Sequence, residues 1–214
     1  MKPNGSTRDA IIYKLRSQGR MQISVIAHQL GLTEMAIRRH MHELAKQGYV
    51  SIISIKQAMG RPLHAYELTP KAEELFPRNY QLLTVDLLSE LENDPHTKPY
   101  IDRMFQGRKQ KLLQRYAINM KHKDLAGRVE ELAHIQQAGG YMAETQQDEH
   151  YYYIEEYNCP IKGVADHYHQ ACQCELELFQ ELLDAPVERI ECLAKGGAKC
   201  NYRIPIHSKS NKQS

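Results

Sequence analysis

The sequence predicts an α+β protein in three parts: a small helical front with one β-hairpin, a helical middle, and a compact α+β module at the back. Three observations carry that expectation. Apolar residues recur at helical spacing over residues 7–47 and again over residues 80–138. β-rich runs occur at residues 50–68 and from residue 141 onward. Charge divides the same way: residues 1–78 hold 12 Lys and Arg against 6 Asp and Glu, while the rest hold 16 against 20. A front at +6 and a back at −4 put any polyanionic partner on the front. The expected segments are therefore 1–78, 79–140 and 141–207, followed by a disordered tail at 208–214.

In the front, Ile11, Ile12 and Leu15 mark one helical face over Thr7–Ser17, which stops at Gly19. A second helix is expected from Ser24 as its cap, through Val25, Ile26, Ala27 and Leu30. Gly31-Leu32 makes a tight turn, and Thr33 caps a third helix over Glu34–Gln47. There Ile37, Met41 and Leu44 face inward, while Met35, Arg38, Arg39 and His42 face out. Two helices about a glycine turn, the second with a basic outer face, form a helix-turn-helix, whose second helix enters a DNA major groove. Strands at Val50–Ile55 and His64–Leu68 flank a loop with Gly60-Arg61-Pro62, and so make a wing. Candidate DNA contacts are Thr33, Glu34, Met35, Arg38, Arg39 and His42, with Lys56 and Arg61 on the wing. Thr69-Pro70 opens another helix.

The middle carries three amphipathic stripes: Leu83, Leu87, Leu88 and Leu91; Ile101, Met104, Phe105, Leu112 and Tyr116; and Leu125, Val129, Leu132 and Ile135. These pack as core or join two copies, since a reader of a two-fold site works as a dimer. A homodimer on a palindromic double-stranded operator is the expected assembly.

At the back, strands are expected at Tyr141–Gln147 and His150–Tyr157, a helix at Val164–Leu183, and a hairpin from Val187–Leu193 and Cys200–Ile206. The N-terminus lacks an apolar leader core and no apolar run reaches the ~18 residues of a membrane span, so the expected location is cytoplasmic. In a reducing compartment five cysteines point to metal or redox chemistry rather than disulfides. Cys159 leaves a strand, Cys172 lies in a helix and Cys200 opens a strand, so three element ends can converge. Cys174 stands ~200° around the helix from Cys172 and is expected as an exposed or interface thiol. Cys192 reads most simply as a small buried hydrophobe. Paired C-x-x-C knuckles of structural zinc are missing from the sequence, and widely spaced thiols suit an iron–sulfur cluster better.

The chain resembles the SufR-type iron–sulfur-responsive repressors over residues 7–206. At the front the likeness runs through Leu30-Gly31-Leu32-Thr33-Glu34-Met35-Ala36-Ile37-Arg38-Arg39-His40, Gly60-Arg61-Pro62, Tyr66-Glu67-Leu68-Thr69 and Leu75-Phe76-Pro77. At the back it runs through Asn158-Cys159-Pro160, Cys172 with Glu175-Leu176-Glu177-Leu178-Phe179, and Cys200-Asn201-Tyr202-Arg203-Ile204. The resemblance implies a winged helix-turn-helix, a helical dimerisation region and a C-terminal cluster-binding domain. It also implies that Cys159, Cys172 and Cys200 hold a cluster, usually [4Fe–4S] with [2Fe–2S] the other form, and that holo protein represses cluster-assembly genes. Some members carry a further cysteine where this chain has Pro186, which leaves Cys192, His167, His169 or a carboxylate as the remaining ligand. A zinc sensor or a thiol-oxidation switch on the same cysteines is the alternative. No enzyme is expected: a phosphate-binding glycine loop, an H-E-x-x-H pair and a nucleophile elbow are all missing from the sequence.

Overall fold

A computed structural model of the chain describes residues 5–56 and 62–206. Arg61 and the tail expected at 208–214 lie outside the described residues. The chain divides into two compact units, residues 1–78 and 79–214.

In the first unit, helix α1 (Thr7–Gln18) opens with a capping box, in which Ser6 and Asp9 satisfy each other's backbone amides. Helix α2 (Ile23–Leu30) begins one residue before the expected cap, behind Gln22, and has no side-chain cap; Ser24 lies inside it. Gly31 closes α2 at φ 66°, a left-handed conformation that favours glycine. Helix α3 (Glu34–Lys46) starts where the Thr33 hydroxyl accepts the Ala36 amide at 3.3 Å. Strands β1 (Val50–Ile55) and β2 (Leu63–Leu68) pair antiparallel from Val50↔Leu68 to Ile55↔Leu63. A bridge between Met21 and Tyr66 ties the hairpin to the residues before α2. The core joins Ile11, Leu15, Ile26, Ile37, Met41, Leu44 and Val50, as the inward faces require. The segment Pro70–Leu75 is a 3₁₀ turn.

The second unit contains α4 (Tyr80–Asn93), α5 (Pro99–Tyr116), α6 (Leu125–Ala138), α7 (Lys162–Ala165) and α8 (Gln170–Leu183). Strands β3 (Ala143–Gln147), β4 (Tyr151–Glu156), β5 (Glu188–Glu191) and β6 (Cys200–Pro205) form an antiparallel sheet in the order β3-β4-β6-β5. The sheet and the helices share one core, in which Val129, Leu132, Ile154, Phe179, Leu183, Tyr202 and Ile204 are buried. Of the expected stripes, Leu88, Ile101 and Phe105 are buried, whereas Leu83, Leu87 and Met104 are more than half exposed.

The single helix expected over residues 164–183 is interrupted. α7 ends at Ala165 and α8 begins at Gln170. Ala165 and Tyr168, on either side of the break, are both buried, and the Tyr168 ring stands 6.3 Å from that of Phe105.

Phe179 is fully buried, with its ring centroid 4.7 Å from that of Tyr202. Phe179→Ala is expected to cost the second unit about 3–5 kcal/mol, read as a lowered urea midpoint by circular dichroism.

Candidate metal centre and nucleic-acid face

The edge of the back sheet gathers four of the five cysteines, all of them free thiols. Cys159 lies in the turn that leaves β4. Asn158 pins that turn with its side-chain amide on the Gly140 carbonyl at 2.6 Å, and the Lys162 amide closes it on the Cys159 carbonyl at 3.0 Å. Cys172 stands in the first turn of α8, and its carbonyl accepts Arg189 Nη1 from β5 at 2.7 Å. Cys200 opens β6, and its sulfur accepts the Leu193 amide at 3.4 Å. Cys192 lies between, at the end of β5.

Electrostatics trace the convergence. Burial pushes the Cys159 thiol up to about 11, against an amide hydrogen bond from Ile161 that favours the thiolate. Burial pushes Cys172 up to about 12, reinforced by the neighbouring Cys192 sulfur. Burial also raises Cys200 to about 12, opposed by the Leu193 amide and reinforced by Cys192. All three thiols therefore interact with Cys192, and the three rises share one cause, loss of water around the sulfur. Among the described residues, no three His, Cys, Asp or Glu side chains stand as ligands around a single ion.

The donor set fits a thiolate-bound metal group in its chemistry. The sulfurs are soft, they are withdrawn from solvent, and two of them already receive backbone amides of the kind that tune cluster sulfurs. Binding has to displace the thiol protons that burial holds in place.

Cys174 departs from expectation. It is buried, not exposed, and lines a cavity with Arg108, Lys109 and Leu178 on the α5 side of α8, away from the other four cysteines. His167 and His169 are exposed, and His169 Nδ1 is engaged with the Ala165 carbonyl at 3.1 Å.

Beside the thiols stand two buried carboxyl groups that the sequence did not single out. Glu156, directly across from Cys200 in the β4–β6 register, accepts a hydrogen bond from Gln136 Nε2 at 2.7 Å. Glu175, one turn along α8 from Cys172, accepts one from the Tyr202 hydroxyl at 3.1 Å. Burial raises both carboxyl groups above their ordinary value of 4.5, and for Glu156 the nearby Glu175 adds to the rise. The available signal was a charged residue within the apolar stripe of α8, three positions from Cys172.

In the first unit, Thr33, Glu34, Met35, Arg38, Arg39, His42 and Lys56 are all exposed. Met35 is 76% exposed, an apolar side chain held out at the N-terminal turn of α3. Arg38 borders a hollow with Ser24, Leu63 and His64, between the starts of α2 and β2. Its ion pair with Glu34, at 3.0 Å, is exposed at both ends and worth little, so the guanidinium is available to another anion. Arg39 points to the other flank of α3, sharing a hollow with Arg8 and Gln47.

Residues 8–53 match the DeoR-like helix-turn-helix domain. That span takes in α1, α2, α3 and most of β1. No curated protein matches the chain. Among solved structures, the chain is similar to Bacillus subtilis PadR in complex with operator DNA, at 13% identity and a TM-score of 0.30, over 85% of this chain and 98% of that one. Likeness at that score is too loose to align functional residues. Among the described residues, no helix is long and apolar enough to cross a membrane.

A carboxyl group whose pKa is raised by folding stabilises the fold below its unfolded value and loses that contribution as pH rises through the folded one. Metal-free protein is therefore expected to lose stability between pH 5 and pH 8, by up to about 1.4 kcal/mol per pH unit for each proton retained. Glu156→Gln, which keeps the shape and sheds the charge, should lose less over that range; urea midpoints at the two pH values measure the difference.

Proposed function

We propose that this chain is a DNA-binding transcriptional regulator whose operator affinity depends on an iron–sulfur cluster held by Cys159, Cys172 and Cys200. One observation supports the reading above the others. Sulfurs from the turn after β4, from α8 and from β6 share one buried neighbourhood, in a chain whose front matches a helix-turn-helix domain.

At the front, α3 is the element for the major groove, with Arg38 and Arg39 on its two flanks and Met35 suited to a thymine methyl. The Thr33–Glu34 start of the helix, His42 and Lys56 extend the same face, and Arg61 belongs to the wing loop. Phosphate contacts by these cations supply affinity, and base edges supply choice of sequence.

At the back, Cys159, Cys172 and Cys200 would hold the group, [4Fe–4S] or [2Fe–2S]. A bound cluster would add an oxidant-labile link among three elements that the sheet pairing of β4 with β6 and the Tyr202–Glu175 hydrogen bond already bring together. Residues of this chain do the rest. The Ile161 and Leu193 amides favour the thiolate forms of Cys159 and Cys200, and the apolar core keeps water from the sulfurs.

Leu83, Leu87 and Met104 expose an apolar strip on α4 and α5 that suits a second copy of the chain. A homodimer presents two α3 helices to half-sites of a palindromic operator spaced by ~34 Å. A coupling of about 1–3 kcal/mol between site and spacing changes occupancy 5- to 150-fold.

A second reading draws on the closeness of Cys172 and Cys192, whose elements Arg189 joins through the Cys172 carbonyl: a switch in which a peroxide takes two electrons and two protons from the two thiols to leave a disulfide. Iron and sulfide content of protein purified without oxygen separates the two.

Anaerobically reconstituted protein should bind its operator at least about fivefold more tightly than apo protein in a gel-shift titration. Equal affinities would sink the sensing role. Cys159→Ser, Cys172→Ser and Cys200→Ser are each expected to lower iron and sulfide uptake and to bring operator binding to the apo level. Arg38→Ala with Arg39→Ala should weaken binding to every sequence and reduce the slope of log K against log salt by about 2.

A further inference from the structure

The remaining question about the thiol nest is what occupies its fourth side, and the backbone register answers it. β5 pairs with β6 through Glu191↔Asn201. β5 ends there, after a register irregularity between Arg189 and Glu191; continued one residue from Glu191↔Asn201, the antiparallel register sets Cys192 opposite Cys200. Directly opposed residues project from the same face of a sheet, with Cβ atoms about 4.5–5.5 Å apart. The Leu193 amide, one peptide on from Cys192, already lies on the Cys200 sulfur at 3.4 Å.

The chain is built to hold Cys192 at that place. Its carbonyl accepts two amides, from Lys195 at 3.0 Å and Gly197 at 2.9 Å, which fold residues 193–197 back over it. A Cβ at Gly197 would stand 2.9 Å from the Cys192 carbonyl and 2.7 Å from the Glu191 side chain. Only glycine lets the strand return that closely. Its neighbours in the chain tie it to the remaining two sulfur-bearing elements. Arg189, three residues earlier, clamps β5 to the Cys172 carbonyl at 2.7 Å. The short helix α7, whose first amide closes the Cys159 turn, packs on the 3₁₀ turn Leu193–Lys195 that Cys192 leads.

The rival donors are committed elsewhere. Glu156 and Glu175 accept hydrogen bonds from Gln136 and Tyr202. His167 and His169 are exposed, and Cys174 faces the α5 side. Cys192 is 6% exposed, and it is the one cysteine whose charge is felt by all three other thiols of the cluster reading.

We infer that Cys192 is the fourth protein ligand of this centre, so that the group is closed by thiolates on every side and has no iron open to small molecules. The inference rests on the cluster reading proposed above and assigns a binding role to a residue outside the three-cysteine frame. It also changes what the site does. A fully thiolate-ligated group has no vacant position for a substrate or an exchangeable ligand, so the chain responds to loss of the whole group.

The test loads full-length wild type, Cys192→Ala, Cys192→Ser, Cys174→Ala and Cys200→Ala with ferrous iron and sulfide under anaerobic conditions. Each reduced protein is examined by electron paramagnetic resonance before and after addition of 2-mercaptoethanol, and iron release to a chelator is timed. The spectra of wild type and Cys174→Ala are expected to be unmoved by the added thiol. Cys192→Ala is expected to give a spectrum that shifts with it, and to lose iron at least about tenfold faster, the cost of removing even an outer-shell partner. Cys192→Ser serves where the alanine variant does not show the wild-type circular dichroism spectrum. A wild-type spectrum that responds to the thiol as Cys192→Ala does, or equal iron release by the two, overturns the assignment alone, provided Cys200→Ala still cuts uptake. Failure of wild type to take up iron and sulfide overturns the cluster reading and this assignment with it.

Discussion

Withdrawing thiols and carboxyl groups from water is the constraint on which the back unit depends. An isolated ionised group in that interior costs several kcal/mol, so the fold keeps these groups protonated or hydrogen-bonded. Glu156 is met by Gln136, Glu175 by Tyr202, and the Cys159 and Cys200 sulfurs by the Ile161 and Leu193 amides. An ordinary core would fill the same space with Leu and Val at no electrostatic cost. Here the thiols and the carboxyl groups of Glu156 and Glu175 occupy it instead, the thiols packing as small hydrophobes while the carboxyl groups carry the cost of burial.

The same constraint explains how the elements are arranged. The sulfurs come from a turn, a helix start, a strand end and a strand start, each held by backbone hydrogen bonds rather than by its own side chain. Asn158 on Gly140, Arg189 on Cys172 and the two amides on the Cys192 carbonyl hold three of these peptides in place. Protons held by burial set the threshold that a metal must overcome.

The front unit shows the opposite economy. Its core cluster is apolar, and Arg38, Arg39 and His42 lie on the exposed side of α3, where water screens charge until a polyanion replaces the water. α1, α3 and the hairpin were legible from the chain because each depends on local signals: the apolar face of Ile11, Ile12 and Leu15 before Gly19, Thr33 at the head of α3, and the β-rich run Val50–Ile55. The start of α2 was displaced by one residue, since packing of Ile23 into the core outweighed the cap that Ser24 offers. The long helix over 164–183 failed for a similar reason. Periodicity reports an average face and does not register the break at 166–169, where Tyr168 packs on Phe105, more than sixty residues earlier in the chain.

By itself, the sequence determined the order and type of the elements, the basic front with its exposed α3 residues, and which cysteines stand at element ends. Those properties are written in spacing, caps and charge, which act within a few residues. Tertiary structure alone decided that Cys192 lies among the other thiols, that Cys174 turns inward on the α5 side, and that Glu156 and Glu175 stand beside the thiols. Each of those depends on strand register and on the docking of α8, and both are set by contacts between residues tens of positions apart.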